Sequence, residues 1–316
     1  MATSVTSRRR KYSLWVDLRD STSTDFFTYG MSKEIGPYTA YSIETGRFGL
    51  DGGAMFGIVP KPLWSERIEA DEENRIPLHM RCLLLEGADR LILVDVGMGD
   101  TFSGTKYEEI YAVDHEYATL DASLGEHGFD RTDVTDVILT HLHFDHCGGA
   151  TREVESGRRP AFPNATYHVQ EDHWDWATTP NPKETGSFLQ ETFVPIRREE
   201  QLHLVDGAGT LFPHISVELV HGHTNAQQIV FVGGEETTLV YVADLLPTPH
   251  HLAPTWTMAY DVRPLQTIEE KGAFLERAVD EGWTLFFEHD PEVEVGDVVE
   301  TDRRIKITDP RPLSDL

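Results

Sequence analysis

The chain has 316 residues, 39% of them hydrophobic, which is enough to enclose a large core without support from disulfides. Its 27 Lys and Arg against 54 Asp and Glu give a formal net charge of -27, which repels phosphate backbones and anionic lipid surfaces. We therefore expect neither nucleic acid nor a membrane as a partner, and a cytoplasmic protein acting on a neutral small molecule. An acidic, lysine-poor surface is typical of proteins that work in high salt, so a salt-adapted host is a further hypothesis.

The first 37 residues are polar and show no periodicity, so we predict an N-terminal arm over residues 1–37. The arm carries aromatic side chains that suit the interface of a homodimer. Residues 38–316 show no repeat and no linker-like composition, and they are predicted to form a single domain.

Strand-like and helix-like patterns alternate after residue 37. Residues 79–85 and 91–96 resemble two buried strands joined by the turn residues 87–89, and residues 134–140 form another strand pattern. Helices are predicted over residues 183–197 and 267–281, the second with Thr267 and Glu270 as a capping box. This order indicates the α/β class, with two halves packed sheet against sheet and helices outside.

The most informative motif follows the predicted strand 134–140. His141 and His143 are two residues apart, so an extended backbone points both imidazoles the same way. Asp145 and His146 lie in the turn beyond, where they can reach a second position. So many ligand-type side chains are costly to bury together without a cation. The motif therefore predicts a metal centre.

Three more candidate ligands stand where apolar runs end further along the chain: His223, Asp244 and His289. Imidazole and carboxylate ligands without a thiolate suit zinc, and they also accept manganese, iron or cobalt. Glu288 and Asp290 are placed equally well by the sequence, so His289 has a second interpretation as a surface histidine. Cys147 is interpreted as a small packing residue.

These motifs resemble those of the metallo-β-lactamase superfamily: HLHFDH at residues 141–146, GHT at residues 222–224, and the later Asp and His. The resemblance implies a four-layer αββα sandwich of two packed mixed sheets with helices outside. It also implies that His141, His143 and His223 hold one metal ion and that Asp145, His146 and His289 hold the other. By the same resemblance, Asp244 bridges the two ions.

The resemblance also suggests roles for two aspartates. Two bridged cations lower the pKa of water towards about 7, and Asp145 is then the catalytic residue that orients the attacking hydroxide and passes on its proton. Asp95 resembles the aspartate that supports the histidine turn from behind. Its other interpretation is an ordinary turn residue at the end of a strand.

The glycine-rich segment of residues 48–64 carries three large apolar side chains, Met55, Phe56 and Trp64. We predict either a flexible cover over an apolar substrate or a loop packed onto the core. DGGAMFGIVPKPLW in this segment, with DLLPT at residues 244–248, resembles the YtnP-type quorum-quenching lactonases. The resemblance implies hydrolysis of a lactone, with N-acyl homoserine lactone as the candidate substrate.

The sequence departs from that pattern at one position. Acyl-homoserine lactonases carry a tyrosine three residues after the bridging aspartate, and this chain has Pro247 there. The donor that stabilises the developing oxyanion must then come from elsewhere. An organophosphate triesterase or another ester hydrolase of the same fold is the alternative, and a metal-binding protein without catalysis is the remaining one.

Overall fold

The computed structural model describes residues 32–235, 237–302 and 304–316. The predicted arm and its homodimer interface fall mostly on residues 1–31, which lie outside the described residues. Residues 32–35, also assigned to the arm, instead form a strand that pairs along the sheet edge, so the arm prediction is wrong for them. Within the described ranges, no helix combines the length and the apolar character that crossing a bilayer requires.

The first half of the chain builds one seven-stranded sheet in the order β1-β2-β3-β4-β5-β8-β9, and β6 pairs only with β7. Its strands are β1 (Ser32–Ile35), β2 (Tyr38–Asp51), β3 (Arg75–Gly87), β4 (Arg90–Val94), β5 (Asp136–Ile138), β6 (Thr151–Val154), β7 (Gly157–Pro160), β8 (Thr166–Gln170) and β9 (Leu202–Val205). The pairs from β4 to β9 are parallel and the others antiparallel, so the sheet is mixed.

The predicted turn between the paired strands is present. Ala88 and Asp89 have φ angles of 52° and 59°, which is the left-handed geometry of a tight two-residue hairpin between β3 and β4. β3 is buried along eight consecutive residues because its two faces meet different layers of the molecule.

The second half builds another seven-stranded sheet in the order β10-β11-β12-β13-β14-β15-β16. Its strands are β10 (Gly209–Phe212), β11 (Ile215–Val220), β12 (Gln227–Gly233), β13 (Thr238–Tyr241), β14 (Thr284–Phe286), β15 (Val295–Glu300) and β16 (Ile305–Arg311). β13 and β14 are parallel, whereas the remaining neighbours are antiparallel. A helix over Pro264–Glu281 connects the two parallel strands, as a parallel crossover requires.

Helices lie between the strands in the described part of the chain. They are α1 (Gly52–Met55), α2 (Lys61–Trp64), α3 (Lys106–Ile110), α4 (Leu120–Glu126), α5 (Phe144–Cys147), α6 (Glu171–Thr178), α7 (Val194–Arg198) and α8 (Pro264–Glu281). Buried residues of both sheets, among them Leu83, Ile138, Val230 and Phe286, form the central core. Separate clusters lie under α4 and α6 and under α8. This confirms the α/β sandwich of two mixed sheets with helices outside.

Two predicted helices differ from those observed. The helix over residues 183–197 is replaced by turns and the short α7, since Pro195 stands in the first turn of α7 and the Glu184 carboxylate is buried among side-chain donors. The last helix begins at Pro264, three residues before Thr267. The capping box is wrong because Glu270 accepts hydrogen bonds from the backbone of His221 and Gly222 instead.

Candidate metal centre

The histidine-rich motif lies between the end of β5 and the first turn of α5. His143 is extended and caps α5, so the chain turns there and carries Asp145 and His146 to the same side as His141. Just after the motif, the backbone at Gly149 passes close to the backbone at Val96, so that an added Cβ would lie 2.3 Å from the Val96 carbonyl oxygen. Only glycine permits this approach of the two backbones.

One group of ligand atoms gathers three imidazoles and a carboxylate. His143 Nδ1 lies 3.1 Å from both His141 Nε2 and His223 Nε2. The Asp244 Oδ2 atom is 3.1 Å from His223 Nε2 and 3.8 Å from His141 Nε2. His223 reaches this position from the turn after β11, and Asp244 from the turn after β13.

A second group lies directly beside the first. His146 Nε2 and His289 Nε2 are 3.2 Å apart, and each is 3.8 Å from Asp145 Oδ2. Asp244 belongs to this group as well, with Oδ1 3.3 Å from His289 Nε2. The structure thus brings together all the residues that the sequence indicated as metal ligands, and Asp244 lies between the two groups.

The donor set itself fits divalent cations. The Asp244 Oδ1 atom is buried and has no hydrogen-bond partner in the described part of the chain, which is costly for a carboxylate. Imidazole nitrogens also face one another at hydrogen-bond distance, where a cation can satisfy their lone pairs. Cys147 is not part of this set: its Sγ points to the Leu142 carbonyl, and burial raises the pKa of its thiol to about 12.

Carboxylates and carbonyls hold the outward-facing nitrogens of the ligand histidines. Asp95 Oδ2 is 3.0 Å from His146 Nδ1, and the Asp95 carboxylate also accepts hydrogen bonds from the backbone N–H and hydroxyl of Thr140. Asp95 therefore contacts the histidine turn from behind, at the place where the resemblance put it. The His289 Nδ1–H donates to the carbonyl of His79 at 2.8 Å.

Two further carboxylates with this role were missed by the sequence analysis. Asp261 Oδ1 is 3.0 Å from His223 Nδ1. Glu184 Oε1 is 3.4 Å from His143 Nε2, and the same carboxylate accepts hydrogen bonds from Thr224 and Trp176. Although burial opposes ionisation, these donors lower the pKa of Glu184 to about 2, so it stays charged.

The two neighbours of His289 face elsewhere. Glu288 lies beneath the second group, with Oε2 3.0 Å from His146 Nδ1. Asp290 closes a turn by accepting hydrogen bonds from the backbone of Glu292 and Val293. Both carboxylate oxygens of Glu288 are buried without a hydrogen-bond partner among the described residues, and Glu288 clusters with Asp95 around the outer side of His146. His289 is the residue of this segment that lies in the second ligand group.

Members of both groups line a pocket with an empty volume of about 750 Å³, including space open to solvent: His143, Asp145, His223, Asp244 and His289. Half of its wall is apolar, formed by Phe48, Leu50, Met55, Leu78, Phe144 and Met258. Polar side chains complete the wall, and these were also missed: Tyr111, Tyr260, Lys183 and Ser187. No motif marks them, because they come from separate turns of the chain.

The three apolar side chains of the predicted cover have different positions in the structure. Met55 lines the pocket, but Phe56 and Trp64 are 0% and 1% exposed. Their rings stack at 5.6 Å, and His251 stacks on Phe56 at 4.9 Å. Of the two alternatives drawn from the sequence, the loop packed onto the core therefore describes Phe56 and Trp64, which belong to a buried cluster that also contains Met55.

Comparisons with known proteins agree with this geometry. The family model described as "Metallo-beta-lactamase superfamily" matches residues 77–289. An N-acyl homoserine lactonase of Bacillus cereus is 26% identical over 175 residues, which are 53% of this chain and 63% of that protein. The lactonase AttM of Agrobacterium fabrum is 38% identical over 66 residues, 21% of this chain and 22% of that one. The match thus spans under two thirds of these relatives.

Solved structures are similar over a larger share of the chain. A probable metal-dependent hydrolase from Staphylococcus aureus superposes with a TM-score of 0.81 at 29% identity, covering 88% of this chain and 99% of that one. AidC, a dizinc quorum-quenching lactonase, has a TM-score of 0.74 at 20% identity and covers 90% and 98%. At that identity the likeness shows the fold alone. Because the family model covers most of the chain, from β3 to His289, this protein belongs to the metallo-beta-lactamase superfamily.

Proposed function

We propose that this protein is a metal-dependent hydrolase that opens a lactone ring, with N-acyl homoserine lactone as the candidate substrate. The observation that carries the proposal is the pair of adjacent ligand groups in a half-apolar pocket, with Asp244 within 3.5 Å of His146 and 3.3 Å of His289 as well as among the residues of the first group. These residues would hold two divalent ions, with His141, His143 and His223 around one and Asp145, His146 and His289 around the other. Zinc is the metal proposed, because these nitrogen and oxygen ligands suit it.

When bound, such a pair of ions supplies a hydroxide nucleophile at neutral pH and positive charge beside the carbonyl oxygen under attack. The residues of the chain supply the rest of the chemistry. Asp145 is 8% exposed and lines the pocket, so its carboxylate is placed to accept a proton from the nucleophile and return it to the leaving oxygen. The apolar wall beside it suits a neutral acyl arm and keeps competing water away.

The test combines metal analysis with a panel of lactones, esters and phosphotriesters. We expect roughly two metal ions per chain, as in dinuclear sites of this kind, and activity on neutral lactones. Asp145→Ala and His223→Ala should each lose at least about 10²-fold in kcat/KM, because the activated water is lost.

The panel separates the alternatives. Preferred turnover of phosphotriesters would replace the lactonase by the organophosphate triesterase. A metal-loaded protein that is inert on the whole panel would favour the metal-binding protein without catalysis. Full activity of either variant would contradict the roles proposed for Asp145 and His223, and circular dichroism of both variants checks that they fold.

A further inference from the structure

Two tyrosine side chains, Tyr111 and Tyr260, line the pocket together with Asp145 and His223. Both rings are half-buried, and neither hydroxyl has a hydrogen-bond partner among the residues described. Burial raises the pKa of both phenols. Each hydroxyl therefore keeps its proton at neutral pH and offers a free O–H donor to whatever occupies the pocket.

The backbone on both sides of Tyr260 is tied to the metal centre. Asp261 Oδ1 lies 3.0 Å from His223 Nδ1, and the backbone N–H of Val262 donates to the carbonyl of His223 at 3.0 Å. On the other side, the N–H of Ala259 donates to the carbonyl of Ala54 at 2.7 Å. The backbone on both sides of Tyr260 is thus held in place beside His223, and a firmly held backbone favours a preorganised donor.

Tyr111 is held by a different set of contacts. Its ring stacks on Phe144 at 5.3 Å with an interplanar angle of 28°, and its carbonyl accepts the backbone N–H of Gly49 at 2.7 Å. It follows α3 and forms the side of the pocket next to Tyr260. Tyr111 therefore packs at the wall, whereas the two residues that follow Tyr260 both contact His223.

We propose that the Tyr260 hydroxyl donates a hydrogen bond to the acyl oxygen of the substrate, where negative charge develops during attack on the carbonyl carbon. This inference rests on the proposed hydrolase function and names a further catalytic residue for it. The phenol keeps its proton throughout: the C–O bond to the leaving oxygen breaks, and the proton for that oxygen comes from the nucleophile by way of Asp145. Donors of this kind act in the transition state more than in the bound ground state.

The experiment compares Tyr260→Phe with Tyr107→Phe as the matched control. Tyr107 is 41% exposed, stacks on Tyr111 and does not line the pocket. We expect Tyr260→Phe to lower kcat by about 10²-fold with little change in KM, because one oxyanion donor is removed. Tyr107→Phe should keep the wild-type kcat.

Two readouts separate a donor from a structural residue. Wild type should prefer a lactone over the matching thionolactone, whose sulfur is a weak acceptor, and Tyr260→Phe should lose most of that preference. Binding of a phosphonate that mimics the tetrahedral state, measured by calorimetry, should weaken in Tyr260→Phe while binding of a lactam analogue is unchanged.

The outcomes distinguish the two proposals. A wild type that hydrolyses nothing in the lactone and ester panel overturns the proposed function. An active wild type whose Tyr260→Phe variant matches Tyr107→Phe in kcat, thionolactone preference and phosphonate affinity overturns the role of Tyr260 alone. Metal content of all variants is measured in parallel, so that a loss of metal is not read as a loss of the donor.

Discussion

The ligand histidines differ in which ring nitrogen they present to the centre. His141 and His223 present Nε2, but His143 presents Nδ1 and turns its Nε2 towards Glu184. An imidazole can be held in this reversed orientation only if its outer nitrogen has a partner of its own. Glu184 supplies that partner from a turn after α6, and its carboxylate also fixes Thr224 in the turn that carries His223.

Replacing Glu184 by glutamine keeps its shape but removes the charge that orients His143. We expect Glu184→Gln to bind zinc about 10- to 100-fold more weakly than wild type, because partners of ligand histidines typically contribute this much to metal affinity. Competition with a chromophoric chelator measures the effect. The exposed Glu171 on α6 provides the control Glu171→Gln, and equal zinc affinity in the two variants would contradict a positioning role for Glu184.

Sequence reasoning reached the candidate ligands but not the carboxylates that contact them, for a physical reason. HLHFDH concentrates four ligand-type side chains within six residues, so local geometry alone indicates a common direction. Glu184 lies 41 residues from His143, and Asp261 lies 38 residues from His223. A single carboxylate at such a distance has no local signature, since its contact is created by the packing of the whole chain.

At the scale of elements, the turn that carries His223 is packed directly against α8. A Cβ added to Gly222 would lie 2.4 Å from the backbone nitrogen of Thr267, so the turn and the helix touch through their backbones. Glu270 strengthens the contact between turn and helix, because its carboxylate accepts hydrogen bonds from the backbone N–H groups of His221 and Gly222. The capping box failed as a prediction for this reason: the same side chain satisfies a neighbouring turn rather than its own helix.

Gly222→Ala should force the turn away from α8 and displace His223. We expect it to lower the free energy of unfolding by about 1–3 kcal/mol, the usual cost of overpacking, and to weaken metal binding as well. Gly272→Ala on the same helix is the control, because its Cβ meets nothing within 4 Å, and it should raise stability by about 0.4–1 kcal/mol. Urea unfolding followed by circular dichroism measures both, and two variants of equal stability would contradict the close packing of turn and helix.

At the scale of the whole molecule, the sequence order of strands and helices indicated the two-layered sheet core, because hydrophobic runs and turn residues are local signals. The edge strand β1 escaped prediction for the opposite reason. Its four residues, SKEI, are mostly polar, and they form a strand only because β2 offers a long edge on which to pair. Whether a polar segment of this kind forms a strand thus depends on the strand it pairs with, which its own sequence does not reveal.

The net charge of -27 makes stability sensitive to salt. Counterions at molar concentration shorten the Debye length to about 3 Å and so screen repulsion between acidic side chains of the folded surface. We expect the melting temperature to rise by at least about 4 °C between low salt and molar KCl, with zinc held constant. A melting temperature that stays level or falls would count against a salt-adapted host.

The second ligand group is completed from a distant part of the chain. His289 lies 143 residues after His146, beyond β14, and its backbone carbonyl accepts the N–H of His79 on β3. A chain emerging from the ribosome therefore exposes HLHFDH long before His289 has been synthesised. A cation captured early would meet an incomplete shell, so the full set of candidate ligands closes only after His289, 143 residues beyond His146, has been made.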